Sequence, residues 1–94
     1  MPPSVRKGDV CTGHGCYGSR ANDQGSPNVI VNGLPKHRVG DHWVTHCCGP
    51  ACHDSTQASG SPNVMTNNKP AARVNDDIAC GSKNQQGSPD VIIN

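Results

Sequence analysis

GSPNVIVNGLPKHRVGD, residues 25–41, is followed at residues 60–76 by GSPNVMTNNKPAARVND, and GSPDVIIN, residues 87–94, begins the same phrase again. The last copy lacks its second half. That half, P-x-x-R-x-G-D, stands at the other end of the chain in Pro3, Arg6, Gly8 and Asp9. Each unit reads as a β-hairpin. Val29, Ile30 and Val31 form a short β-branched run, and Asn32-Gly33 is the strongest short hairpin signal, because both residues tolerate positive φ in a type I′ turn. Asn67-Asn68 is a weaker version of the same turn. The return strands are expected through Arg38-Val39 and Arg73-Val74, ended by the strand breakers Gly40-Asp41 and Asn75-Asp76.

Two complete hairpins and one split hairpin make three. In the split one, Val91–Ile93 is expected to pair with Val5–Lys7. Joining the chain ends in this way closes the sheet and removes two open edges. The expectation is an all-β chain, a small cone of three β-hairpins with pseudo-threefold symmetry, forming a single domain over residues 1–94. The segments between the repeats differ in length, as insertions do when they map to loops on one face of a repeat structure.

The bulk composition fits a chain with little core. It has no Phe, one Trp and one Tyr, 32% hydrophobic residues and a mean hydropathy of −0.63. A small domain of this kind needs disulfides, a metal or a partner to hold its fold. Net charge is +1, with no lysine or arginine block and no aromatics interleaved with basic residues, which argues against nucleic acid as a partner. MPPSVRKGDV lacks the apolar segment of a signal peptide, so synthesis in the cytoplasm is expected. Apolar runs are too short for a membrane span.

All six Cys fall in the three linkers, residues 10–24, 42–59 and 77–86: Cys11 and Cys16, then Cys47, Cys48 and Cys52, then Cys80. So do His14, His42, His46 and His53, whereas His37 lies in a hairpin. If the hairpins form one layer, the linkers emerge together and their Cys and His converge. Imidazoles and thiolates in convergence suit Zn²⁺, and a filled tetrahedral shell is structural. Tying together loops without a core of their own is where a metal adds most to folding. Disulfides compete for the same residues, and Cys11–Cys16 or Cys47–Cys52 are candidate pairs. The missing signal peptide and the histidines favour the metal.

Pro70-Ala71-Ala72-Arg73 spells P-A-A-R. With the repeated G-S-P-x-V and R-V-G-D, the split repeat and the loop histidines, the whole chain resembles the PAAR-repeat family. These are the tip proteins of contractile-tail spikes in phages and type VI secretion systems. The resemblance implies a cone whose base binds the blunt end of a trimeric β-helical spike, one cap per trimer. It also implies an apical zinc held by three His and one Cys. Matched by position, the ligands are His14 (before Gly15), Cys80 (before Gly81), and His46 and His53 from the middle linker. V-T-H-C-C-G-P-A-C-H is longer than the simple pattern, so His42, Cys47 and Cys48 are alternatives to His46.

The function expected on this resemblance is mechanical. The chain would sharpen a membrane-puncturing spike, with transient contact at the target membrane and effector cargo docked separately, since it ends with the third hairpin and carries no fused toxin domain. An enzyme is not expected. The middle linker offers only Asp54 as a general base, and a full N/S shell leaves no open position. A secreted, disulfide-stabilised binding module is the alternative. Arg38 and Arg73, with Asp41 and Asp76, are expected to make polar contacts in or between hairpins. Trp43 is expected over the small core beneath the long linker, and Ile30 and Met65 are candidates to face the spike.

Overall fold

A computed structural model describes residues 1–94, an all-β molecule measuring 37 × 24 × 22 Å. Its strands are β1 (Ile30–Val31), β2 (Leu34–Pro35), β3 (His42–Cys48), β4 (Ala51–Thr56), β5 (Met65–Thr66) and β6 (Lys69–Pro70). They pair antiparallel as β1–β2, β3–β4 and β5–β6. The turns take the conformation that their residues favour, with positive φ at Asn32, Gly33, Asn67 and Asn68. The return strands are shorter and earlier than the sequence predicts. Ile30 pairs with Pro35 and Met65 with Pro70, while Arg38 and Arg73 lie beyond the hairpins.

The reason is that the second residue after each proline bonds to a neighbouring unit. Val5 N donates to Ala72 O, His37 N to Val5 O, and Ala72 N to His37 O, each at 3.1 Å. These three residues hold the same repeat position and are all fully buried. They form a closed triangle of backbone hydrogen bonds on the pseudo-threefold. The chain ends do pair, but in a shifted register. Pro3 is bridged to Ile92, Ser4 N donates to Val91 O, and Ile93 N donates to Pro2 O. Val5–Lys7, expected in that pairing, is used instead by the triangle and by the Lys7 N to Pro35 O bond of 2.7 Å.

The repeated glycine of G-S-P permits this closeness. A Cβ at Gly25, Gly60 or Gly87 would come within 2.8–2.9 Å of the proline or backbone of its own unit's return segment. The repeated R-x-x-D is an ion pair. Arg6, Arg38 and Arg73 each grip Asp9, Asp41 and Asp76 through Nε and Nη2, and each carboxylate also accepts the arginine's own backbone N–H. Both partners of the first two pairs are buried, so their charges are matched where water cannot solvate them.

Each linker leaves and rejoins the hairpin layer through one neck. Asn22 N donates to Asp9 O, Gln57 N to Asp41 O and Asn84 N to Asp76 O. Gly8, Gly40 and Asn75 return the bond to the carbonyls of Asn22, Gln57 and Asn84. Between these bonds the linkers can differ in length at no cost to the layer below. The core sits just inside the necks. Cys11, Trp43 and Ile78, each two residues after its repeat aspartate, form the one buried hydrophobic cluster. Trp43 is thus the bulk of the core, with Nε1 donating to Gln57 Oε1 at 3.0 Å. The middle linker is long enough to fold on itself, and as the β3–β4 hairpin it contains the longest strands of the molecule, in place of the loop that the sequence predicts.

Candidate metal centre

His46 on β3 lies directly across from His53 on β4, so the hairpin register alone places two imidazoles side by side. The first linker supplies the third. His14 and Tyr17 exchange backbone hydrogen bonds in a tight turn, which turns His14 toward the hairpin. Gly13 is required there, since its φ is +72° and a Cβ would meet Tyr17 O at 2.5 Å. The third linker supplies Cys80, which packs against the core. The result is a convergence of His14, His46, His53 and Cys80, whose ligand atoms all lie within 4.8 Å of one another.

His53 Nε2 is 2.8 Å from His46 Nε2 and 3.1 Å from His14 Nε2. His46 Nδ1 donates to Gly18 O at 2.8 Å, because a carbonyl can only accept. Its proton is therefore on Nδ1 and its Nε2 lone pair faces the cluster, the usual arrangement of a metal-binding histidine. Burial pushes the Cys80 thiol up. Hydrogen bonds from the Ser82 backbone and hydroxyl, Arg20 and His53 outweigh burial and bring it down to about 5. At neutral pH the group is a thiolate, the form that binds metals. Three imidazoles and one thiolate around one point form a site for a borderline-soft cation.

Of the alternatives, none joins the cluster. His42 turns outward, with Nδ1 2.6 Å from Asp23 and Nε2 2.8 Å from Asp54. Cys47 is bonded to Cys52, and Cys48 to Cys16. Of the two candidate pairs, Cys47–Cys52 forms and Cys11–Cys16 does not. Cys11 points into the core, whereas Cys16 is exposed beside the hairpin tip. His37 is a buried structural residue. Its Nδ1 donates to Gln24 O at 2.8 Å, its ring meets Trp43 edge-on at 5.3 Å, and burial lowers its pKa to about 4, so it is neutral.

Two residues of the site escape the sequence reading. The Tyr17 ring lies 4.2–4.9 Å from the rings of His14, His46 and His53 and walls the cluster. Arg20, buried over Trp43, points Nη1 at Cys11 Sγ (3.1 Å) and Nη2 at Cys80 Sγ (3.5 Å). It is a fixed positive charge beside the thiolate. Being the lone Tyr of the chain, three residues after a candidate ligand, was the available signal for Tyr17; Arg20 had none.

A family model, the PAAR motif, matches residues 7–84, a span that includes the Arg38–Asp41 and Arg73–Asp76 pairs and all four converging residues. The chain belongs to the PAAR family. Membership makes this PAAR chain a structural module with a spike-tip-related role in contractile injection systems, in association with a spike protein. Comparison with curated proteins returns no match.

Proposed function

We propose that this chain is the sharp tip cap of a membrane-puncturing contractile-tail spike, seated on the blunt end of a trimeric β-helical spike protein, one cap per trimer. The observation that carries the reading is an apolar triad at one repeat position. Ile30, Met65 and Ile92 are 55%, 54% and 53% exposed, one on each hairpin unit. Three similar apolar side chains around a pseudo-threefold suit a partner with a true threefold. The test is to mix the protein with a trimeric β-helical spike and weigh the complex. One cap per trimer is expected, lost in Ile30→Asp/Met65→Asp/Ile92→Asp. A folded triple variant that still binds refutes the reading.

The apex is read as pinned by a structural Zn²⁺ on His14, His46, His53 and Cys80. A tetrahedral zinc with Zn–N of about 2.0–2.1 Å separates its nitrogens by about 3.3 Å, close to the spacing of the Nε2 atoms here. When bound, the ion supplies cross-linking and no chemistry of its own. His14 and Cys80 bring in the outer linkers, and Gly18 and Arg20 orient His46 and Cys80. Native mass spectrometry should show a gain of roughly 63 Da that is lost on denaturation. In keeping with this role, the chain would be made in the cytoplasm, mounted at the tip of a phage tail or secretion spike, and delivered through the target envelope, with effector cargo as a further partner. The two disulfides favour a second reading, a secreted disulfide-stabilised binding module. A metal-free, fully oxidised protein without affinity for a spike would select it.

A further inference from the structure

Cys16, Cys47, Cys48 and Cys52 stand apart from the four converging residues, yet each lies beside one of them in sequence. Cys16 is two residues from His14, Cys47 and Cys48 follow His46, and Cys52 precedes His53. The bridges they form are Cys16–Cys48, with Cα atoms 5.3 Å apart, and Cys47–Cys52, 4.1 Å apart in direct register. They differ in what they join. Cys47–Cys52 links strands already paired by the hairpin. Cys16–Cys48 spans 32 residues and is the one covalent tie between the first linker and the hairpin. It therefore links the same two segments that a metal shared by His14, His46 and His53 would link.

Access differs as well. Cys16, Cys47 and Cys52 are exposed and Cys48 is half-buried, so small thiols and disulfides can reach these bridges. Cys11 is buried in the core under Arg20. Exposed bridges exchange with their surroundings, while buried thiols do not.

We propose that these four cysteines form an apical dithiol/disulfide site whose oxidation, by a low-molecular-weight disulfide, takes over from the metal the joining of the first linker to the β3–β4 hairpin. For each bridge, two thiols give up two electrons and two protons, and one small disulfide becomes two thiols. The reduced tip depends on the metal for its shape. The oxidised tip keeps His14, His46 and His53 together without it, and only Cys80 is released when the metal leaves. The coupling rests on the metal-pinned apex proposed above, whereas the pairing does not.

The test equilibrates the metal-loaded full chain in mixtures of reduced and oxidised glutathione. Alkylation and peptide mapping follow, with melting measured before and after chelator. The map should show Cys16–Cys48 and Cys47–Cys52, with Cys11 and Cys80 alkylated only on unfolding. Chelator should lower the Tm of the oxidised protein about half as much as that of the reduced protein, or less. Oxidised Cys16→Ser/Cys48→Ser should regain the full fall, and Cys47→Ser/Cys52→Ser should not. Any other pairing overturns the site. Equal, non-zero falls in both redox forms overturn the takeover while leaving the metal pin standing. No fall in either form overturns the metal pin, and the takeover with it.

Discussion

Lys36 is 3% exposed, and its Nζ donates to Val5 O at 2.9 Å and to Ala72 O at 2.6 Å. Its ammonium thus sits against the backbone triangle at the centre of the fold. The triangle does not need it, because both carbonyls already accept backbone N–H groups from His37 and Val5. Asp76, Asp9 and Asp41 attract the charge, but each is already gripped by an arginine. Burial wins and lowers the lysine from 10.5 to about 7. The unfolded chain keeps that proton up to about 10.5, so unfolding takes up a proton between the two values, and stability rises with pH across that window. Below pH 7 the charged form carries the full penalty, about 4–5 kcal/mol for a displacement from 10.5 to about 7. Lys36→Met removes the charge at similar length and leaves the triangle bonded. Allowing about 1.5 kcal/mol for each of the two lost charged hydrogen bonds, the low end of the range because both carbonyls keep a backbone donor, we expect the variant to be about 1–2 kcal/mol more stable than wild type at pH 6. The advantage should shrink toward pH 10, by up to about 1.4 kcal/mol per pH unit. Urea unfolding from pH 6 to 10, with metal and redox state held fixed, reads both quantities. Parallel pH curves for the two proteins, or a variant less stable at pH 6, would show instead that the ammonium holds the triangle together.

Other expectations follow from the same geometry. Asp41→Asn removes one partner of a fully buried pair and strands the Arg38 charge, so it should cost about 3–5 kcal/mol in chemical denaturation; a loss below 1 kcal/mol, on the order of an exposed pair, would contradict that. His14→Ala or Cys80→Ala should lower the Tm by many degrees, and chelator should do the same to wild type in its reduced form; unchanged melting in all three would dismiss the metal pin. His42 is held above its ordinary value by Asp54 and Asp23. Its clasp between them should be complete below pH 6.5 and lost as pH rises through the raised value, with His42→Gln removing that dependence. An NMR titration placing His42 at or below 6.5 would remove the basis for the clasp.

The repeat was legible because it encodes short-range geometry. Asn32-Gly33 and Asn67-Asn68 dictate turns, Gly25 and its equivalents permit close packing, and R-x-x-D closes an ion pair within four residues. The four converging residues were legible from family position, since His14 and Cys80 follow the glycine pattern of the first and last linkers. Choosing His46 over His42 was a matter of register. A bulge between Trp43 and His46 puts His46 opposite His53 and leaves His42 outside, and nothing local in HWVTHCC signals that bulge. The same holds for Cys16–Cys48 and for Arg20, whose partners are supplied by distant segments.

Local residues and their repetition therefore encode three hairpins, their turns, the Arg–Asp contacts and the closing of the chain ends, all of which depend on residues a few positions apart or on the repeat itself. The register of that closure, the triangle of Val5, His37 and Ala72, the core of Cys11, Trp43 and Ile78, and the Cys16–Cys48 pairing arise only in the folded chain. Those features depend on which linkers meet above the common neck. Backbone hydrogen bonds and side-chain volumes from all three units settle that together, and no single segment holds enough of them to specify it.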